Sequence, residues 1–214
     1  MTSNYLADNT RKRRLTYLLL VVAPLAFIFV SLFLGRYPVS ITDVIYILWC
    51  KISRTPCSLP DICQTIVWDI RLPRAILGAM VGGCLSISGA AFQGIFRNPL
   101  VNSGILGVSS GAGFGAALAI ILFNAIAPTY IFAFTFGILA VILSYLIARV
   151  YNATPTIMLV LGGVIVSSVF SALISLTKYV ADPMDQLPAI VFWLMGSLAS
   201  ARYQDIAIAG IPMV

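Results

Sequence analysis

The chain has 214 residues, 60% of them hydrophobic and only 9% charged, with a mean hydropathy of +1.02. Soluble domains carry roughly 25% charged residues, so this composition excludes that class and indicates an integral membrane protein. The formal net charge of +6 does not imply nucleic acid: four cations cluster at Arg11, Lys12, Arg13 and Arg14, and no basic surface interleaved with aromatics is present to stack bases.

A hydrocarbon core about 30 Å thick takes about 20 apolar residues per helix. About six such runs are predicted, at residues 15–34, 75–92, 105–127, 130–148, 156–176 and from 191 onward. The first is too long for a signal peptide and no A-x-A-like cleavage site follows it, so it reads as a retained span. The basic cluster before it makes residues 1–14 a cytoplasmic tail under the positive-inside rule. That orientation sends Arg97 and Arg149 inward and Arg36, Lys51, Arg54, Arg71, Arg74, Lys178 and Arg202 outward. Two readings of the outer cations stay open, contact with lipid phosphates and docking of an acidic protein.

Residues 35–70 form an extracytoplasmic loop in this scheme. Within it Ser40-Ile41-Thr42-Asp43 has the form of a capping box, and the apolar residues after it predict a short helix lying at the membrane surface. Cys57 and Cys63 bracket the segment CSLPDIC with Cys50 nearby; a small disulfide and unpaired apolar side chains both fit. Zinc is disfavoured, since there is no histidine and Cys84 falls within a span.

The second and third runs are rich in small residues. Gly78 and Gly82 form one i, i+4 pair, and Gly107, Gly111 and Gly115 form a longer stripe continued by Ala119, the pattern that lets neighbouring helix backbones approach closely. Between them Asn98-Pro99 interrupts the helix, leaving Gln93, Arg97, Asn98 and Asn102 around a turn. Such backbone is tolerated at a bilayer only where protein or a water-filled cavity satisfies it. The fourth run is bulkier and uncharged, which suits lipid exposure over much of its surface. The fifth carries Gly162, Gly163, Ser167, Ser168 and Ser171, whose hydroxyls suit helix packing ahead of a solute pathway. Asp182-Pro183-Met184-Asp185 marks the outer return. In the last run Arg202 and Asp205 read as a local pair at its outer end, and the sequence reaches Val214 without a charged flank, as in a fragment of a longer polypeptide or an unusual final helix.

The chain contains no histidine and no glutamate, and none of its seven acidic residues falls in the middle of a predicted span. Ion-coupled transporters and redox enzymes ordinarily need intramembrane ionisable groups. There is likewise no Walker A loop, catalytic dyad, metal-ligand spacing or cofactor motif. An ion-coupled secondary transporter or channel is the main alternative to a permease energised by another subunit, and a membrane-embedded enzyme is disfavoured. Energy for uphill transport would have to come from another subunit.

RLPR at residues 71–74, SGAAFQGIFRNPL at 88–100, ILGVSSGAGFG at 105–115, LVLGGVIVSS at 159–168 and FWLMGSL at 192–198 occur in one order along the chain. This series resembles the FecCD-type permeases, the membrane subunits of ABC type II importers for iron complexes, haem and vitamin B12. The resemblance implies an all-α polytopic transmembrane bundle, a single but incomplete permease domain over residues 1–214, in the cytoplasmic membrane of a prokaryote. It also implies a second permease subunit, a pair of cytoplasmic ATPases, an extracytoplasmic substrate-binding protein, and as substrate an iron(III) complex such as a siderophore, or haem, or a corrinoid. By the same resemblance Arg71 and Arg74 face the binding protein, with helix capping or lipid phosphate as the alternative. Gln93, Arg97, Asn98 and Pro99 fall on an inner turn, serving packing and helix reversal or touching the pathway. Asn152, Thr154 and Thr156 correspond to an inner gate. Val101 and Ser103 depart from the family's usual NPLA-x-P and are expected to loosen the turn. The segment that docks on the ATPase is expected to lie beyond Val214.

Overall fold

The computed structural model describes residues 2–99, 101–149 and 156–210, and every regular element among them is helical. The elements are α1 (Thr2–Ser31), α2 (Ile41–Ser53), α3 (Asp61–Thr65), a π-helical segment (Ile66–Arg71), α4 (Leu72–Phe96), α5 (Val108–Phe123), α6 (Ile126–Ala148), α7 (Thr156–Val180), α8 (Gln186–Met195) and α9 (Tyr203–Gly210). Two compact units contain them, one from residues 1–84 and 198–214 and the other from residues 85–197.

In the first unit, Ser40 caps α2 as the capping box requires: its side chain accepts from the Asp43 amide at 3.1 Å. The face of α2 bearing Val44 and Ile47 then closes on Leu32 and Val67 to make a small core, with Cys57 and Cys63 packed against it. Cys50, Cys57, Cys63 and Cys84 are all free thiols.

The helix expected to start near Ala75 starts at Asp61, so the predicted outer loop is shorter than residues 35–70. The α3, π and α4 segments form one apolar rod, Asp61–Phe96, long enough to cross a membrane. Pro73 accounts for the π register. A proline in a helix offers no N–H and its ring crowds the carbonyl four residues back, here that of Asp69. The backbone widens instead of breaking, and the Leu72 amide donates to the Val67 carbonyl, five residues back. The Pro73 side chain is fully buried.

The second unit is a three-helix core of α5, α6 and α7. Phe114, Phe136 and Phe170, one from each helix, meet at its centre with ring centroids 5.2 to 6.4 Å apart. The fourth predicted run, α6, does expose large residues such as Ile131, Phe134 and Ile142. It also buries a stripe of small ones, Ala133, Gly137, Ala140, Ser144 and Ala148. Ile190 of α8 is buried with Ala117, Ile120 and Ala181. The start of α8 is tied to the end of α5, where Asn124 Nδ2 donates to the Asp185 carboxylate at 3.1 Å and Gln186 Nε2 to the Ile121 carbonyl at 3.3 Å.

Among the described residues, four helices are long and apolar enough to cross a membrane: Arg13–Ser31, Asp61–Phe96, Ile126–Ala148 and Thr156–Val180. The count of six was approximate. The third predicted run yields only the 16 residues of α5, about 24 Å of helix. The last is broken: Gly196 takes φ of 70°, ending α8 after 10 residues, and α9 begins afresh at Tyr203. Asp205 accepts the Arg202 backbone amide at 2.8 Å, so that sequence pair is a helix cap.

Candidate functional site

The RLPR arginines lie in the first unit, on the last residue of the π segment and the first turn of α4. Arg71 is buried, 7% exposed, and its guanidinium donates from Nη1 to the Leu32 carbonyl at 2.8 Å and from Nη2 to that of Tyr37 at 2.5 Å. It lies so close over Gly35 that a Cβ there would sit 2.6 Å from Nη2. These donors tie the end of α1 to the loop before α2. Arg74 is exposed; its Nε and Nη2 donate to the Leu198 and Ala199 carbonyls at 3.1 and 2.8 Å. Below the pair runs a groove of about 400 Å³ lined mainly by apolar side chains of α1 and α4.

Tyr203 adds a second tie. Its hydroxyl donates to the Trp68 carbonyl at 2.6 Å, inside the π segment, with the two rings 6.2 Å apart. Burial pushes the Tyr203 phenol above its ordinary range, and the Asp69 carboxylate adds to the rise. On the loop before α2, Tyr37 is likewise pushed up, chiefly by its hydrogen bond to Cys63 and then by that group's charge.

Among the described residues, a Cβ on Gly78 would meet Leu198 Cδ1 at 3.4 Å and one on Gly82 would meet nothing within 4 Å.

In the second unit α4 ends at Phe96. Arg97 adopts φ of 47°, the Asn98 amide reaches back to the Gln93 carbonyl at 3.2 Å, and Pro99 follows, a Schellman-type stop. Gln93, Arg97, Asn98 and Pro99 are all exposed. Gly107 is not inside the next helix but caps it, with φ of 78°, a conformation that side chains resist; a Cβ there would lie 2.9 Å from Ser167 Oγ. Gly111 and Gly115 sit directly against the α6 backbone. An added Cβ would lie 2.5 Å from the Phe136 carbonyl oxygen at Gly111, and 2.8 Å from the Phe132 carbonyl carbon at Gly115.

Two further close approaches join α7. A Cβ on Gly162 would lie 2.7 Å from the Ser144 carbonyl oxygen, and one on Gly163 would lie 3.0 Å from Leu106 Cα. Ser144, fully buried, donates to the Leu106 carbonyl at 2.9 Å and so pins the turn before α5 to α6. Sequence reasoning missed Ser144. Its signal was the spacing of small residues at 133, 137, 140, 144 and 148, which fall on one helical stripe.

Beside this packing lies an open groove of about 730 Å³ lined by Asn102, Gly104, Ile105, Val164, Ser167, Ser168 and Ser171. Its polar groups are hydroxyls and one amide. Ser168 donates to the Val164 carbonyl in its own helix, and Asn102 Oδ1 accepts the Gly104 amide. Hydroxyl and amide groups of this kind can line a surface past which a polar solute moves. Thr156 is the exposed first residue of α7, whereas Asn152 and Thr154 lie outside the described residues.

The profile of the FecCD transport family matches residues 19–214. The molybdate import system permease protein MolB of Haemophilus influenzae is 40% identical over 204 residues, covering 94% of this chain and 57% of the relative. The cobalamin import system permease protein BtuC of Halobacterium salinarum is 41% identical, covering 73% of this chain and 42% of the relative. A probable iron chelatin transport system permease protein of Helicobacter pylori is 44% identical, covering 68% and 44%. A solved structure described as an inward-facing conformation of a metal-chelate type ABC transporter superimposes with a TM-score of 0.74 at 35% identity, covering 91% of this chain and 57% of that one. The chain thus spans about half the length of the curated relatives it matches. From the RLPR arginines through the glycine-packed α5 to the broken α8–α9 run, nearly the whole sequence falls within one family profile, and this integral membrane chain belongs to the FecCD transport family.

Proposed function

We propose that this chain is part of the membrane-spanning permease subunit of an ATP-binding-cassette importer in a prokaryotic cytoplasmic membrane, with its amino terminus in the cytoplasm. The observation that carries the reading is the family match over residues 19–214, joined to a helix core without intramembrane acid or base chemistry. The subunit is not an enzyme; ATP is hydrolysed by a separate cytoplasmic ATPase pair, and a second permease subunit completes the pathway. The solute is a metal-bearing species, an iron(III) chelate first, with haem and corrinoid beside it. Relatives named for molybdate, cobalamin and iron chelatin support that class and leave the metal open.

The closely packed α5, α6 and α7 act as one rigid body that rocks during alternating access, and the serine-lined groove beside them faces the solute. An extracytoplasmic binding protein docks on the first unit, whose exposed cations include Arg36, Lys51, Arg54, Arg74 and Arg202. Charge there speeds and orients encounter more than it adds affinity. The test is co-purification of the full-length protein with a cytoplasmic ATPase and an extracytoplasmic binding protein of the same organism, followed by competition among iron chelate, haem, cobalamin and molybdate for the binding protein. Failure of the ATPase to associate would remove the reading.

A further inference from the structure

We propose that Tyr203 is a positioning residue for the docking face of the first unit: its hydroxyl replaces the N–H that Pro73 lacks, holds the π register before α4, and so sets the direction in which Arg74 meets an acidic partner. In that register the Leu72 amide donates to the Val67 carbonyl, five residues back. The next pair in the series would be the Pro73 nitrogen and the Trp68 carbonyl, and proline has no hydrogen to give. Trp68 is half-buried, and a main-chain carbonyl shielded from water needs a donor. The Tyr203 hydroxyl supplies it at 2.6 Å, with its ring 6.2 Å from the indole.

The π segment places one extra residue in a helix that otherwise turns about 100° per residue. If the wide turn moved past Arg74, which follows Pro73 directly, that guanidinium would swing by about 100° relative to α3. One stretch of chain grips both residues: the exposed Arg74 donates to the Leu198 and Ala199 carbonyls at 3.1 and 2.8 Å, and Tyr203 opens α9 just beyond them. The inference rests on the docking reading for the partner at Arg74, and adds to it a residue far from RLPR in sequence.

The test follows capture of an extracytoplasmic binding protein of the same organism by the full-length protein in nanodiscs, together with hydrogen exchange over the π segment. Tyr203→Phe, which keeps the ring beside Trp68, should speed that exchange and slow capture about two- to tenfold, the worth of one hydrogen bond. Arg74→Gln should slow capture by itself, and adding Tyr203→Phe to it should slow capture no further, because the tyrosine acts through that guanidinium. Pro73→Ala restores a main-chain donor, so in that background Tyr203→Phe should leave exchange and capture unchanged; if Pro73→Ala does not fold, the Arg74→Gln pair decides alone. Normal capture in Tyr203→Phe beside slowed capture in Arg74→Gln, additive slowing in their double variant, or an undiminished Tyr203→Phe effect in Pro73→Ala would each overturn the inference and leave the docking reading standing. Unchanged capture in Arg74→Gln would remove the docking reading, and this inference with it.

Discussion

Gly111→Ala puts the packing of α5 on α6 to a quantitative test. The new Cβ would sit 2.5 Å from the Phe136 carbonyl oxygen and 2.7 Å from Ala140 Cβ. Carbon and a carbonyl oxygen ordinarily approach to about 3.3 Å, so the two helices must part by about 0.8 Å or the backbone must bend. Phe136 and Ala140 are backbone-anchored and cannot swing aside as a long side chain could. Forced repacking of this kind costs about 1–3 kcal/mol, partly offset by up to about 1 kcal/mol from the better helix propensity of alanine. A net loss of about 1–2 kcal/mol would lower the melting temperature by about 2–8 °C in a chain of this size. The assay is the thermal stability of the full-length protein in detergent, followed by fluorescence-detected size exclusion. Gly82→Ala is the control, since a Cβ there meets nothing within 4 Å, and it should melt unchanged or slightly higher. Equal melting of the two variants would refute the reasoning. The larger Gly111→Leu should abolish assembly outright, and normal dimer recovery for it would count against the packing account.

Ser144→Ala removes the buried hydrogen bond to the Leu106 carbonyl and should cost about 0.6–1.7 kcal/mol, the range for interhelical bonds in membranes, read as a lower melting temperature. Arg71→Lys keeps the charge but not the two-carbonyl geometry; it should destabilise the first unit and speed proteolysis in the loop between α1 and α2, while unchanged cleavage would show the tie to be dispensable. Tyr203→Phe should speed hydrogen exchange over the π segment by freeing the Trp68 carbonyl. The same phenol gives a pH signature. Its pKa is raised in the folded state, so its contribution is intact below its ordinary value of about 10 and is lost as pH climbs through the folded value. Tyr203→Phe should flatten that alkaline loss, and an unchanged stability profile above pH 10 would contradict the assignment.

The long apolar runs were legible because about 20 uninterrupted apolar residues have few outcomes other than a membrane helix. The α2 cap was legible too, since Ser40 and Asp43 stand at the spacing the motif requires. What escaped depended on backbone register and on neighbours. The proline of RLPR reads as a boundary, yet Pro73 sits inside a continuous helix because a π register absorbs its missing donor. Gly107 shares the spacing of Gly111 and Gly115, but one positive φ moves it from the helix to its cap. Gly78 and Gly82 show the same pattern, yet among the described residues no neighbouring backbone approaches them, because a stripe of small residues permits close approach without supplying the helix that approaches. Arg71 and Arg74 are equivalent in sequence and differ in fate: one is enclosed by the loop after α1, the other exposed. The last run looked continuous because its composition stays apolar through the Gly196 break.

ATP-dependent uptake in proteoliposomes tests the central claim most directly. The full-length protein would be reconstituted with its ATPase and binding protein, then given radiolabelled iron chelate, cobalamin, haem or molybdate. The account predicts accumulation of one of these only when ATP, the ATPase and the binding protein are all present, with no response to an imposed proton or sodium gradient. Accumulation driven by such a gradient without the ATPase would contradict it.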